Sequence, residues 1–231
     1  RVNKLNESEH PMIQELIEGP TTCTLHLCHQ GAVLGELMYR GRRTLPRSGG
    51  TTVFRESIAD TASSEAAAHI VRHLGFSGFC GFDFIIQEST GEPFLVDANC
   101  RITAGITMAY HGGCDMVEAW LAIARGEAPE WLPSPAIGVC TKMQFADFVW
   151  LLESYANSHR DWSGERRLRK DWWAEKGFFY DIHSLRDPMP NVMVWAYILA
   201  NSYKLLFTKF DSAQLFIFHD QYVEHEPEQA P

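Results

Sequence analysis

The stretch that most constrains this chain is Gly81-Phe82-Asp83-Phe84-Ile85-Ile86, followed by the polar run Gln87 to Glu92 and then Pro93-Phe94-Leu95-Val96-Asp97-Ala98-Asn99-Cys100-Arg101. Two β-prone apolar runs around a polar turn read as a hairpin. Strand side chains alternate between faces, so Phe82, Phe84 and Ile86 are expected to share a core face with Phe94, Val96 and Ala98. Asp83, Asp97, Asn99 and Arg101 fall on the other face. A turn centred near Thr90 sets Asp83 opposite Asp97, with Asn99 next along. Facing carboxylates repel. A hard cation relieves that repulsion, and two carboxylates with an amide oxygen and no neighbouring His suit Mg2+ or Mn2+ rather than zinc. The same pattern also suits a solvated hairpin face.

Composition narrows the class. The 231 residues are 45% hydrophobic and 21% charged, which is globular, and they are enough for one good core and an appended unit. A formal net charge of -9 argues against a general nucleic-acid binder, which needs a basic stripe to neutralise phosphates. The cysteines at 23, 28, 80, 100, 114 and 140 form no C-x-x-C pair and read as thiols of a reduced, cytoplasmic protein. The apolar run Val192 to Phe207 is interrupted by Asn201, Ser202 and Lys204, too short and too polar for a membrane span. A first residue of Arg1 rather than Met suggests a fragment, a processed form or a trimmed chain.

Along the chain, Met12 to Pro20 reads as a strand ending in a turn, and Thr22 to Cys28 and Ala32 to Tyr39 read as antiparallel strands around Gln30-Gly31. Arg40 to Thr52 holds four arginines beside Ser48-Gly49-Gly50-Thr51, a composition that suits either an anion site or a solvated loop. Ser57 to Leu74 carries a helix, with Asp60 or Thr61 as cap and Gly75 as stop. His69 and His73 on it lack a third ligand and suit a solvated face. A helix is expected from about Cys114 to Arg125, capped by Asp115, and His111 before it reads as a buried, hydrogen-bonded side chain. Residues 126 to 136 form a proline-rich boundary. Thr141 to Tyr155, Arg166 to Lys176 and Asn191 to Phe207 are candidate helices, and the aromatics from Trp162 to Tyr180 read as the core of this appendage. Asp181 to Pro190 shows a turn and no chemistry.

Gly-Phe-Asp-Phe followed by Leu-Val-Asp-Ala-Asn-Cys-Arg resembles the end of an ATP-grasp domain. The resemblance, which covers roughly residues 11 to 126, implies that Asp83, Asp97 and Asn99 hold Mg2+ (or Mn2+) against ATP and that Arg101 is the phosphate-facing or substrate-facing arginine. The family more often has Glu at the place of Asp97 and Pro or Thr at the place of Cys100. Gln14, Glu15, Leu16, Ile17 and Glu18 resemble the hinge whose backbone reads adenine, and Arg47, Gly49 and Gly50 resemble the loop over the nucleotide. Thr21 and Thr22 stand where a ribose-holding acid or His is common, with Glu18 as a candidate substitute. Gly105 stands near the place of the basic Glu of biotin-carboxylase-type members, so the chain does not look like a bicarbonate activator.

The implied fold is α+β: an antiparallel sheet with packed helices over residues 1-136, the C-terminal lobe of an ATP-grasp domain, and a mainly helical appendage over 137-231. The implied activity is an ATP- and Mg-dependent ligase acting on a small-molecule carboxylate and an amine or thiol, with no nucleic acid and no membrane span. The other lobe is expected from upstream sequence or a partner chain, and a homo-oligomer is compatible with the reading. The alternative is a non-catalytic nucleotide-binding or assembly module with the same fold.

Overall fold

A computed structural model describes residues 14–47, 50–156, 162–182 and 186–196. Among them β1 (Thr21–His29), β2 (Ala32–Leu45), β3 (Thr51–Ser57), β4 (Gly78–Ile86), β5 (Pro93–Asn99), β6 (Cys140–Lys142) and β7 (Phe178–Tyr180) form one sheet in the order β5-β4-β1-β2-β3-β6-β7. All pairings are antiparallel except β6 with β7. With the helices packed on it, this is an α+β fold.

The helix α1 (Thr61–Leu74) starts where the Asp60 side chain accepts the amide of Ser63 at 3.0 Å and stops at Gly75 in the left-handed region, φ 57°. Its Ala67 and Val71 pack on Cys28, Cys80, Phe82 and Phe84. His69 and His73 stay exposed on its outer side. The opposite face of the sheet offers Leu25, Leu27, Leu37 and Phe79, covered by α2 (Ile106–His111) and α3 (Met116–Ala124) through Met108, Ala109 and Met116. The short helix α2 has no counterpart in the sequence reading, and Asp115 caps α3 as expected, accepting from the amide of Glu118 at 3.0 Å.

Beyond residue 125 the chain stays on the sheet. The amide of Leu132 donates to the Leu34 carbonyl at 2.7 Å, and Ser57 Oγ donates to the Ala136 carbonyl at 2.8 Å. Thr141 and Lys142, expected to open a helix, belong instead to β6; the helix α4 (Gln144–Ala156) follows, packing Ala146, Val149 and Trp150 on Leu45 and Val53. The helix α5 (Trp162–Ala174) begins four residues before the expected start, and β7 closes the sheet. Residues 189–196 are helical; the remainder of the expected 191–207 helix lies outside the described residues. No helix among the described residues is long and apolar enough to cross a membrane.

Candidate functional site

The hairpin of β4 and β5 has the register that brings the acids together: Gly81 faces Asn99, Phe82 faces Ala98 and Asp83 faces Asp97. The register then slips by one, so that Leu95 rather than Val96 faces Phe84. This bulge reconciles the turn with the facing carboxylates, and it overturns the expected core face of β5. Phe94, Leu95 and Val96 are all exposed, because β5 is the sheet's edge strand and the buried cluster under α1 takes its sheet side chains from β1 and β4. On β4 the expected alternation holds, with Phe82 and Phe84 buried and Asp83 half-buried.

Asp83 lies on the α2–α3 side of the sheet, in a polar row that crosses it. Asp97 faces Asp83, Asp83 faces Cys23 on β1, and Cys23 faces Tyr39 on β2. Burial raises the Asp83 pKa above the usual carboxylate range; the Asp97 charge adds to this, while the Cys23 thiol and Arg101 pull it down. Burial, then the Asp83 charge, pushes the Cys23 thiol far up, so it stays a protonated donor toward that carboxylate. Asn99 Nδ2 donates to Asp97 Oδ2 at 2.7 Å, which leaves the amide oxygen and the other carboxylate oxygens for a cation. Arg101 is exposed, and its Nη1 donates to the Ile102 carbonyl at 3.3 Å.

The donor chemistry fits a hard cation: two facing carboxylates, one raised in pKa by burial and further by the other's charge, with an amide beside them. Among the described residues no group of three or more His, Cys, Asp or Glu side chains is arranged to hold a metal by itself. Further oxygens would have to come from a ligand, as is usual for Mg2+.

Residues 14–20 are not a strand, contrary to expectation, and Met12 and Ile13 lie outside the described residues. This segment runs along the end of β4 instead: Glu88 donates its amide to the Glu18 carbonyl at 3.0 Å, and Ile86 donates to Pro20 at 2.9 Å. The approach is so close that a Cβ at Gly19 would stand 1.8 Å from the Ile86 carbonyl oxygen. Gln14, Glu15, Leu16 and Glu18 are exposed, Ile17 is half-buried, and Leu16 and Glu18 line an open cavity of 390 Å³ with Gln87, Glu88 and Ser89. At ~3.3 Å per strand residue, Asp83 lies on the order of 15 Å along β4 from Glu88.

The arginine-rich segment is committed elsewhere. Arg47 Nη1 donates to both carboxylate oxygens of Glu165 on α5, at 2.8 and 3.0 Å, and its guanidinium lies 5.1 Å over the Trp150 ring. Arg40 pairs with Glu56, and Arg43 with Asp147 and Glu175. Gly50 is described and exposed; Ser48 and Gly49 lie outside the described residues. His111 is exposed and stacks on Phe179 at 3.8 Å, where a buried side chain was expected. At Gly105 a Cβ would meet Tyr39 at 2.9 Å and Leu37 at 3.0 Å, so no acidic side chain fits there.

Sequence reasoning missed Arg55 and Asp181. Arg55 is fully buried in β3, pairs with the Asp181 carboxylate and donates to the Ala104 carbonyl at 2.7 Å. Its charge lowers the pKa values of Cys23 and Tyr39, against burial that raises both, so it belongs to the same polar row. The one available signal was a lone Arg in the otherwise strand-like run Thr51 to Ser57.

Residues 2–105 match a family model described as an ATP-grasp domain. No curated protein shows a significant sequence match. Among solved structures, biotin carboxylase from Campylobacter jejuni is 19% identical with a TM-score of 0.43, over 55% of this chain and 30% of that one. Phosphoribosylglycinamide synthetase from Anaerococcus prevotii is 14% identical with a TM-score of 0.43, over 55% of this chain and 34% of that one. Pyruvate carboxylase from Rhizobium etli is 17% identical with a TM-score of 0.43, over 56% and 14%. The chain thus spans 14 to 34% of each of these structures.

Proposed function

We propose that this chain is part of an ATP- and Mg2+-dependent ligase that activates a small-molecule carboxylate as an acyl phosphate for attack by an amine or thiol. The observation that carries the reading is Asp83 facing Asp97, with Asn99 next in line, in a segment that matches an ATP-grasp domain. In this reading Asp83, Asp97 and Asn99 hold Mg2+ or Mn2+, and the backbone of residues 14–18, beside the 390 Å³ cavity, takes the adenine. The separation of that cavity from Asp83 along β4 suits an extended nucleoside triphosphate. A bound cation neutralises charge that develops during phosphoryl transfer. Arg101 holds its guanidinium where a phosphoryl or acyl phosphate oxygen gains charge, and Asp83 stays ionised once a cation offsets the Asp97 charge.

A second reading, a non-catalytic nucleotide-binding or assembly module, is favoured by one observation. Arg47, a candidate phosphate contact, is held by Glu165. Calorimetry with ATP on the full natural chain carrying these residues, with and without Mg2+, tests the two. Binding that needs Mg2+ and is lost in Asp97→Ala is the expected result, and ADP release dependent on an acid and an amine would then establish the ligase. Mg2+-dependent binding without any such turnover favours the module. A folded chain that does not bind the nucleotide removes the ligase and leaves the non-catalytic assembly module.

A further inference from the structure

The loop that carries Arg101 leaves β5 and enters α2, and it is anchored by a residue that the metal row does not use. Arg55 is completely buried, and its guanidinium forks: Nη1 donates to the Ala104 carbonyl at 2.7 Å, and Nη2 to the Asp181 carboxylate. Asp181 comes from the far end of the chain, directly after β7, and its backbone is fixed on both sides. Its amide donates to the Lys142 carbonyl at 3.0 Å, and Thr107 Oγ1 donates to its carbonyl at 3.4 Å. A buried guanidinium is strongly destabilising once its counter-charge is removed. Without the Asp181 charge, Arg55 would have no counterion in this contact, and the fork that grips Ala104 would lose one of its two prongs.

The loop itself has little slack. Gly105 lies so close to Tyr39 and Leu37 that an added Cβ would stand 2.9 and 3.0 Å from them. Arg101, three residues before Ala104, has among the described residues a hydrogen bond to the adjacent Ile102 carbonyl alone, so the direction of its side chain follows the loop backbone. Resting on the ligase reading above, we propose that Arg55 and Asp181 are positioning residues: a strut that holds the Arg101 loop against the Asp83–Asp97 pair. Residues 178–182 thereby become a working part of the nucleotide site rather than an appendage to it.

The test is a double-mutant cycle on the full natural chain, with Mg-ATP affinity read by calorimetry and thermal melting read in parallel. Asp181→Asn should weaken Mg-ATP binding ~10-fold, the usual size of an effect transmitted through a ligand-supporting contact. In an Arg101→Met background the same change should cost nothing further, because the group it positions is gone. Its effect on the melting temperature should be equal in both backgrounds. Arg55→Lys keeps the charge and loses the fork, so it should behave as Asp181→Asn does and carries the same cycle if Asp181→Asn does not fold. An equal loss of affinity in both backgrounds, or no loss in either, overturns the strut. If Asp97→Ala and Arg101→Met themselves leave Mg-ATP binding unchanged, the metal-row reading falls instead.

Discussion

Asp83 sits where burial, a facing carboxylate and an arginine act on one group: the first two raise its pKa and Arg101 lowers it. That balance is what a cation site needs before the cation arrives, since the repulsion is relieved on binding. His26, on the other side of the same sheet, shows what burial does without relief. Its ring is wholly buried beside Phe82, neither ring nitrogen has a hydrogen-bond partner among the described residues, and burial lowers its pKa to about 4. Between pH 6.5 and 4 the unfolded chain binds a proton at this residue that the folded chain refuses. The contribution of His26 is therefore intact above pH 6.5 and is lost as pH falls toward 4, by about 3 kcal/mol at most. Urea titrations across that window should show a clearly flatter pH dependence for His26→Leu than for the wild type; equal slopes would mean that His26 is not buried neutral. The Asp83–Asp97 pair was legible in the sequence because period-two alternation sets which residues share a face and one turn pairs the two strands, whereas the bulge that completes the register left no signal there. The Arg55–Asp181 pair was not, because its partners are 126 residues apart and meet only once β6 and β7 have joined the sheet.

At the scale of elements, β2 and β6 meet α4 and the end of α5 through a compact set of charges. Arg43 donates to Asp147 Oδ1 at 2.7 Å and to Glu175 Oε2 at 2.8 Å, Lys142 donates to Glu175 Oε2 at 2.6 Å, and Trp172 donates to Asp147 Oδ2 at 2.8 Å. Phe54 lies under both cations, and Trp150 under Arg43. Two cations and two anions balance in a site nearly closed to water, so removing one anion leaves a buried charge without its counterion. Glu175→Ala should therefore cost about 3 kcal/mol, measured by urea unfolding. A loss under ~1 kcal/mol would mean the pairs are as weak as exposed ones. These contacts show that the arginine-rich segment, read from sequence as an anion site or a solvated loop, meets carboxylates of this same chain at Arg43 and Arg47. An arginine cluster states a demand for anions but not which anions meet it, and here Glu165 and Glu175 come from beyond residue 160. The strands β6 and β7 escaped notice for a related reason, since three residues are too few for alternation to register.

For the whole molecule, the proline-rich stretch 126–136 invites a division into two units, yet the contacts run across it. Leu132 and Val139 pack into the core beneath α2 and α3, β6 pairs with β3, and Leu45 and Val53 are covered by α4. Arg43 and Arg55 both draw their counterions from residues after 140. A chain ending at residue 136 would expose the apolar side of β3, leave the edge of β3 unpaired and strand two buried guanidinium groups. Each such loss is worth several kcal/mol against a total stability on the order of 10 kcal/mol. We therefore expect the 1–136 segment alone to lack a cooperative thermal transition and a dispersed amide NMR spectrum, while the chain through residue 196 shows both. A sharply melting 1–136 fragment would mean that the sheet needs neither β6 nor α4 and that the charges adjust by solvation. The expected result would instead tie stability to function, because the contacts that make the fragment unfold include the Arg55–Asp181 pair that anchors the Arg101 loop.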